Sequence, residues 1–204
     1  MARPTLFGMV STRASQAYTL PALQSFLRNT EMGSQDRLVL IDNDGSMQGW
    51  TVPCERIVPI QPRGFAANVN ALMDMANEYE QDLCFLSNDV YFTPGWRSGL
   101  SSHTNETAIL IPDSNALRQY KTASGLEITP RMDLRATIGK ADEIDDAARF
   151  HVSRFAGTYS VSRIMPFYVF HVSREIYQRL GYLDTSFGAA GAEDVDYQIG
   201  RAHV

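Results

Sequence analysis

Acidic side chains stand at three places where the sequence predicts the end of a strand or the start of a helix. They are Asp42 with Asp44, Asp89, and Glu193 with Asp194. Carboxylates in such places can hold a divalent cation through hard oxygen ligands or accept a proton as a general base. Each group alone is also compatible with a structural role, because aspartates are common in turns and acids in a first helical turn complement the helix dipole.

The segment around Asp89 shows the clearest strand end. The apolar run 83–86 is typical of a strand buried on both faces. Ser87, Asn88 and Asp89 interrupt this run, and Pro94-Gly95 prevents its continuation. Ligands bind at the carboxyl ends of strands in open α/β sheets, so Asp89 is a candidate site residue.

Alternating strands and helices would position these acids. Apolar runs predict strands at residues 5–11, 37–41, 56–60, 82–86, 107–111 and, within the segment 163–172, at 164–170. Helical spacing predicts helices at 64–79, 94–100 and 141–155. Capping residues predict a helix that begins at Thr19, with Pro21 in its first turn, and another between Ser173 and Gly181. A last helix is predicted to begin at Glu193. This order predicts right-handed crossovers and a mostly parallel central sheet flanked by helices, a Rossmann-like α/β domain.

Two fingerprints of nucleotide-binding α/β proteins are missing from the sequence. No Gly-x-Gly-x-x-Gly follows the first strand, and no Gly-x-x-x-x-Gly-Lys-Ser/Thr occurs in the chain. These absences argue against a dehydrogenase and against a P-loop nucleotide hydrolase. A nucleotidyltransferase would require a glycine-rich loop after the first strand, and the loop 11–15 contains no glycine.

Composition indicates a globular protein without a bulk attraction to polyanions. The 204 residues are 44% hydrophobic and carry a net charge of −5, which gives no overall attraction to nucleic acid or anionic membrane. The two cysteines are too few for a disulfide framework, and we expect both to be reduced. No signal peptide or membrane-spanning run is visible, so the expected location is the cytoplasm.

Four short motifs follow one another along the chain. They are Asp42-Asn-Asp-Gly-Ser46, Gly64-Phe-Ala-Ala-Asn-Val-Asn70, Leu86-Ser-Asn-Asp-Val90 with Pro94-Gly-Trp96, and Gly191-Ala-Glu-Asp-Val-Asp-Tyr197. In this order they resemble the motifs of inverting family 2 glycosyltransferases, which have the GT-A fold. The resemblance implies one GT-A domain over residues 1–204, with a nucleotide-sugar-binding half at about 1–100 and an acceptor-binding and catalytic-base half at about 101–204, including an irregular segment at 113–162.

The resemblance assigns the nucleotide-sugar donor to residues at the predicted strand ends. They are Thr12, Arg13, Asp42, Asp44, Arg63, Asn70 and Asn88. Among them, Asp42 would accept a hydrogen bond from a ring N–H of the base, a task that suits an ionised carboxylate because it only accepts. The alternative for Asn70 is an amide on a helix surface. A UDP-sugar is the favoured donor.

The resemblance also implies a divalent metal ion, Mn²⁺ or Mg²⁺, at Asp89. The ion would bridge the protein and the donor diphosphate and neutralise charge on the leaving nucleoside diphosphate. This chain departs from the stricter motif because Ser87 stands where a second acid is usual. We therefore expect the metal to bind weakly without the donor.

The acid pair before the last helix would supply the general base. The resemblance favours Asp194 over Glu193 for taking the proton of an acceptor hydroxyl that attacks in line. Gly188 and Gly191 suit a loop that lets sugar and acceptor approach closely. Asp194 can also act as a helix-capping acid without any catalytic role.

The predicted activity is an inverting, metal-assisted glycosyl transfer from a nucleoside-diphosphate sugar to an acceptor hydroxyl. The acceptor could be a glycan, a lipid-linked glycan, a protein or a hydroxylated nucleobase, and nucleic acid is expected as a partner only in that last case. The alternative is a non-catalytic relative that binds nucleotide sugars or serves as a scaffold.

Overall fold

The computed structural model describes residues 3–51, 53–101, 109–112, 114, 140–155, 157, 167–188 and 193–199. Its strands are β1 (Thr5–Ser11), β2 (Arg37–Asp42), β3 (Glu55–Ile57), β4 (Asp82–Leu86) and β5 (Val169–Val172). Its α-helices are α1 (Gln16–Asn29), α2 (Phe65–Glu78), α3 (Trp96–Ser101), α4 (Ala141–Phe155), α5 (Arg174–Leu180) and α6 (Glu193–Ile199). Short 3₁₀ turns at Arg13–Ser15 and Thr185–Phe187 precede α1 and α6.

The strands form a single five-stranded sheet in the order β3-β2-β1-β4-β5. The first four are mutually parallel, and β5 runs antiparallel to β4. The predicted α/β domain with a mostly parallel sheet is confirmed. We call the edge at which β1, β2 and β4 end the carboxyl edge.

Helices cover both faces of the sheet because successive strand residues point to opposite sides. One face of the central strands packs with α2, α5 and α6 in a cluster that includes Leu72, Phe85 and Tyr197. The other face packs with α1 and the segment after β4, through Phe7 and Phe26 among others. The interior on each side is continuous and apolar, so the sheet forms a rigid platform for the loops at its edges.

A glycine in β1 brings α2 close to the sheet. A Cβ atom at Gly8 would lie 2.5 Å from a terminal methyl of Leu72, so any other residue would force this side chain or the whole helix to move. The N-terminus of α2 is thereby held beside the carboxyl edge.

Several predicted elements differ from the structure at their ends. Helix α1 begins at Gln16, so Thr19 is not its cap and Pro21 lies in the second turn. Strand β3 ends at Ile57, and Ile60, which the prediction had included, is fully exposed. The predicted strand at 107–111 is represented by a single bridge from Leu110 to His171, with 107 and 108 outside the described residues.

The predicted strand at 164–170 lies further toward the C-terminus in the structure. Strand β5 covers Val169–Val172, residues 167 and 168 precede it, and residues 164–166 lie outside the described residues. Strands β1 and β4 and helix α4 have the predicted bounds, and α2 differs from its prediction by one residue at each end. Within the described ranges, none of the helices is both long and apolar enough to cross a bilayer.

Candidate active site

Strand register brings the candidate residues to the carboxyl edge. Ser11 at the end of β1 lies opposite Asp42 at the end of β2. On the other side of β1, Met9 lies opposite Leu86, the last residue of β4. The segment from Ser87 therefore leaves the sheet beside the end of β1, and the loops after β1, β2 and β4 are neighbours.

Asp42 carries a buried carboxylate oxygen that none of the described residues binds. Its side chain is 0% exposed, and its Oδ2 accepts a hydrogen bond from the N–H of Met47 at 3.1 Å. Its Oδ1 has no hydrogen-bond partner among the described residues. A buried acceptor in this condition is costly unless a ligand or a water supplies a donor. An N–H group of a bound base would satisfy it.

Asp44 joins two of the loops. Although exposed, it accepts hydrogen bonds from the N–H of Arg13 at 2.8 Å and from the N–H of Ser46 at 3.2 Å. The Ser46 hydroxyl and the Arg13 N–H hold the pKa of Asp44 below its usual value. Both carboxylate oxygens therefore already bind the loops after β1 and β2, and the side chain of Arg13 extends from this junction into solvent.

The backbone of Arg63 is fixed by two asparagines that sequence reasoning did not single out. Asn43 donates to the carbonyl of Arg63 at 2.8 Å and accepts from its N–H at 2.9 Å. Asn68 donates to the same carbonyl at 3.2 Å. The position of Arg63, whose side chain is exposed, is thus set by the turn after β2 and the first turn of α2.

Asn88 is the centre of a hydrogen-bond network between the loops after β1 and β4. Its amide donates to Ser15 Oγ at 2.7 Å and to Thr19 Oγ1 at 2.9 Å. Thr19 also contacts Ser11 Oγ at 2.7 Å, and Ser15 lies within 3.1 Å of the hydroxyl of Thr12. Ser15 is the N-cap of α1, and the buried Thr19 lies one helical turn further along the helix.

Asp89 is exposed at the tip of the loop after β4. Ser87, two residues before it, donates its hydroxyl hydrogen to Asp89 Oδ1. The described residues contain no group of three or more metal-ligating side chains. A carboxylate with a neighbouring hydroxyl suits a hard cation such as Mg²⁺ or Mn²⁺, provided that diphosphate and water oxygens complete its coordination.

Asn70 holds the chain segment that leads to α6. Its amide donates to the carbonyl of Leu183 at 2.9 Å and accepts from the N–H of Leu183 at 2.8 Å. These two bonds make Asn70 a structural anchor, whereas its predicted contact with the nucleotide remains untested.

The chain from α5 onward contacts α2 at residues progressively closer to the N-terminus of that helix. Arg174 and Gln178 of α5 bind Asn77 near the end of α2, whereas Tyr182 binds Asp74, one turn earlier. Together with the Asn70 anchor, these contacts return the chain toward the carboxyl edge shortly before the predicted catalytic acids.

Both predicted base residues lie in the first turn of α6. Glu193 is buried and Asp194 is partly exposed. The helix is fixed by Tyr197, whose hydroxyl donates to the carbonyl of Gly181 at 3.0 Å. Gly188 has a φ of 81°, a conformation that glycine adopts without strain. Gly191 lies outside the described residues.

Comparisons with known proteins give matches in structure. No family model and no curated protein matches the sequence. The crystal structure of GalNAc-T7 with UDP, GalNAc and Mn²⁺ has a TM-score of 0.62 at 13% identity, over 98% of this chain and 40% of that chain. A crystal structure of S. aureus TarS gives a TM-score of 0.34 at 14% identity over 42% of this chain. A structure of TarS residues 1–349 gives a TM-score of 0.43 at 14% identity over 53% of this chain.

The chain therefore has a GT-A-like fold, a single α/β domain similar in architecture to the glycosyltransferase GalNAc-T7. It spans two fifths of the length of that protein. At this level of identity the likeness concerns the fold. The assignment to family 2 and the roles of individual residues remain predictions.

Proposed function

We propose that this protein is a glycosyltransferase that moves a sugar from a nucleoside-diphosphate sugar to an acceptor hydroxyl. The observation that carries the proposal is the buried Oδ1 of Asp42, which lies at the carboxyl edge of a GT-A-like sheet and has no hydrogen-bond partner among the described residues. This edge is where open α/β sheets bind their ligands. The exposed Asp89 stands two strands away along the same edge.

Asp42 would bind the base of the donor nucleotide. Its free oxygen accepts an N–H of the base, which removes the cost of leaving that oxygen buried and unpaired. Thr12 and Arg13, which follow β1 directly, would flank the nucleotide, and Arg63 would be a further neighbour. A UDP-sugar is the favoured donor, and the presence of UDP in the similar GalNAc-T7 structure supports this choice.

Asp89 would hold a divalent cation, with the hydroxyl of Ser87 beside it. When bound, Mn²⁺ or Mg²⁺ neutralises the charge that develops on the leaving diphosphate. One protein carboxylate supplies few of the oxygen ligands that such an ion requires, so the donor and water would supply most of them. This explains why we expect metal binding to depend on the donor.

Asp194 would accept the proton of the acceptor hydroxyl as that oxygen forms its bond to the anomeric carbon. Attack on the side opposite the leaving group inverts the anomeric configuration. Asp194 stands at the N-terminal end of α6, where the helix dipole stabilises negative charge. Glu193 is the second candidate for this role. The acceptor remains one of the hydroxyl classes named above.

Nucleotide binding gives the first test. Thermal unfolding is measured with UDP, GDP and CMP, with and without Mn²⁺, for the wild type and for Asp89→Asn. A ligand at 100 times its Kd stabilises the folded state by about 2.7 kcal/mol. We expect a Mn²⁺-dependent increase with one nucleoside diphosphate, which Asp89→Asn loses and the control Asp146→Asn, an exposed acid on α4, retains.

Two results would contradict the proposal. One is the absence of any stabilisation by nucleotides, which favours the non-catalytic alternative. The other is a metal-dependent response that Asp89→Asn leaves unchanged, which removes Asp89 from the metal site. Where a donor is found, NMR of the transferred sugar shows whether its anomeric configuration is inverted.

A further inference from the structure

We propose that helix α1 positions Asp89 by holding the loop after β4 on both sides of this residue. The inference rests on the proposed function, because it gives the metal-binding acid a pre-formed position. No residue of the helix itself is predicted to contact the donor, although Thr12 and Arg13 directly before it are. Its role follows from a polar stripe on its buried side.

The first contact precedes Asp89. Both N–H groups of the Asn88 amide are used, one on Ser15 Oγ and one on Thr19 Oγ1. The hydroxyl of Thr19 donates to the carbonyl of Ser15 at 3.2 Å, so its oxygen accepts from Asn88 and from Ser11. Every donor and acceptor of the Thr19 hydroxyl is thus occupied, in a side chain that is 0% exposed.

The second contact follows Asp89. The N–H of Phe92 donates to Ser25 Oγ at 3.0 Å, and its carbonyl accepts from the Asn29 amide at 2.8 Å. Arg28, in the same part of α1, donates to the hydroxyl of Tyr91. The side of α1 that faces this loop therefore carries polar groups from its first turn to its last.

The span between these two contacts is short, and Val90 within it packs against the core. Only Asp89, Val90 and Tyr91 separate the two anchored residues, and Tyr91 is itself held by Arg28. Asp89 is exposed and yet belongs to a loop that α1 holds on both sides, through the side chain of Asn88 and the backbone of Phe92. Binding a metal ion and a diphosphate to such a carboxylate does not have to order the loop, so more of the interaction energy is available for affinity.

Thr19 is the residue to change because it reaches Asn88 and has no predicted contact with the donor. Thr19→Val keeps the shape of the side chain and removes the hydroxyl, and Thr19→Ser keeps the hydroxyl as the matched control. The ligand-free proteins are compared by ¹⁵N relaxation at residues 88–92. We expect order parameters of about 0.85 in the wild type, a decrease toward about 0.6 in Thr19→Val, and recovery in Thr19→Ser.

Calorimetry then compares two ligands, UDP with Mn²⁺ and uridine without metal. Because Thr19→Val loses the hydrogen bond to Asn88, we expect it to bind UDP with Mn²⁺ roughly three- to tenfold more weakly than the wild type. Uridine binding should not change, because the base site is on β2. An equal loss for both ligands would indicate general disruption of the site and would overturn the positioning role.

The outcomes separate this inference from the proposed function. Unchanged order parameters in Thr19→Val overturn the inference whatever the ligands do. If the wild type binds neither UDP nor GDP with Mn²⁺, the proposed function fails, and the relaxation data still decide whether α1 holds the loop. If Thr19→Val does not fold, Asn29→Ala, which removes the contact to Phe92, takes its place under the same criteria.

Discussion

The two edges of the sheet use the same kind of residue in opposite ways. At the amino edge, where β1, β2 and β4 begin, Asp36 accepts from the N–H groups of Thr5 and Gly33, both at 2.8 Å, and pairs with Arg97 at 2.9 Å. At the carboxyl edge, Asp42 keeps a buried oxygen without a partner among the described residues. A carboxylate whose acceptors are filled by the protein stabilises the fold, and one with an unfilled acceptor is available to a ligand.

The buried pair at the amino edge strengthens the contrast. Asp82 accepts from the N–H of Arg174 at 2.9 Å, and its other oxygen lies 3.6 Å from His171 Nε2. Burial lowers the pKa of His171 to about 4 and raises the pKa of Asp82. Both shifts favour neutral forms, so this pair is adapted to an apolar interior rather than to proton transfer at neutral pH.

The largest expected effect is on transfer, in Asp194→Asn. If Asp194 is the base, the rate of sugar transfer falls by roughly 10²- to 10⁴-fold, the usual contribution of general base catalysis. Nucleotide affinity and thermal stability should stay close to those of the wild type. Steady-state kinetics with a competent acceptor, with Glu193→Gln in parallel, distinguishes the two acids, and near-normal rates in Asp194→Asn would exclude it.

The next largest expected effect is on the free energy of unfolding, in a variant of the amino edge. Asp36→Ala leaves two backbone N–H groups and the Arg97 guanidinium without their partner, which should destabilise the fold by about 3–5 kcal/mol. Urea unfolding measures this change, with Asp146→Ala as an exposed control that should have little effect. Nucleotide affinity of the folded variant should be unchanged, and a selective loss of that affinity would break the comparison.

The His171 pair predicts a pH dependence of stability. The pKa of His171 is about 4 in the folded protein and 6.5 as its ordinary value, so the unfolded chain binds the proton first as the pH falls. Stability is therefore lost from about pH 6.5 to about pH 4, by at most about 3 kcal/mol. The raised pKa of Asp82 acts in the opposite direction over its own range.

Urea unfolding of the wild type and His171→Gln at several pH values between 7.5 and 4.5 isolates the histidine contribution. The variant should lose less stability on acidification than the wild type. Parallel curves for the two proteins would show that His171 is not the group responsible.

The smallest expected effect concerns Asp42→Asn. The variant removes a buried charge with an unfilled acceptor, so its stability should be within about 1 kcal/mol of the wild type or higher. Its affinity for the donor nucleotide should fall roughly tenfold, because a neutral amide is a weaker partner for the base N–H. Calorimetry and urea unfolding together check this prediction. A large loss of stability would place Asp42 with the structural acids of the amino edge.

Local patterns were sufficient to predict the fold and the position of the carboxyl edge. The run 82–86 is apolar and is followed at once by polar residues and Pro94-Gly95, so β4 and the placement of Asp89 after it could be read directly. Alternating strands and helices predicted the parallel sheet in the same way. These features depend on neighbours in sequence.

Long-range contacts were not predictable from such patterns. Asn70 binds Leu183, which is 113 residues away, and nothing in the helix pattern around Asn70 indicates this partner. Thr19 resembled a helix cap because capping rules consider only adjacent residues, whereas the structure places it under Asn88 of a different loop. The anchors of the site thus required the tertiary structure, although the candidate acids did not.

The contacts of α2 with the segment 174–183 fix the register of the chain that leads to the last helix. Asn77 and Asp74 bind Arg174 and Tyr182, and Asn70 binds Leu183. One residue added within 174–183 would break this register and shift the approach to Glu193 and Asp194. Divergence in length should therefore be excluded from this segment.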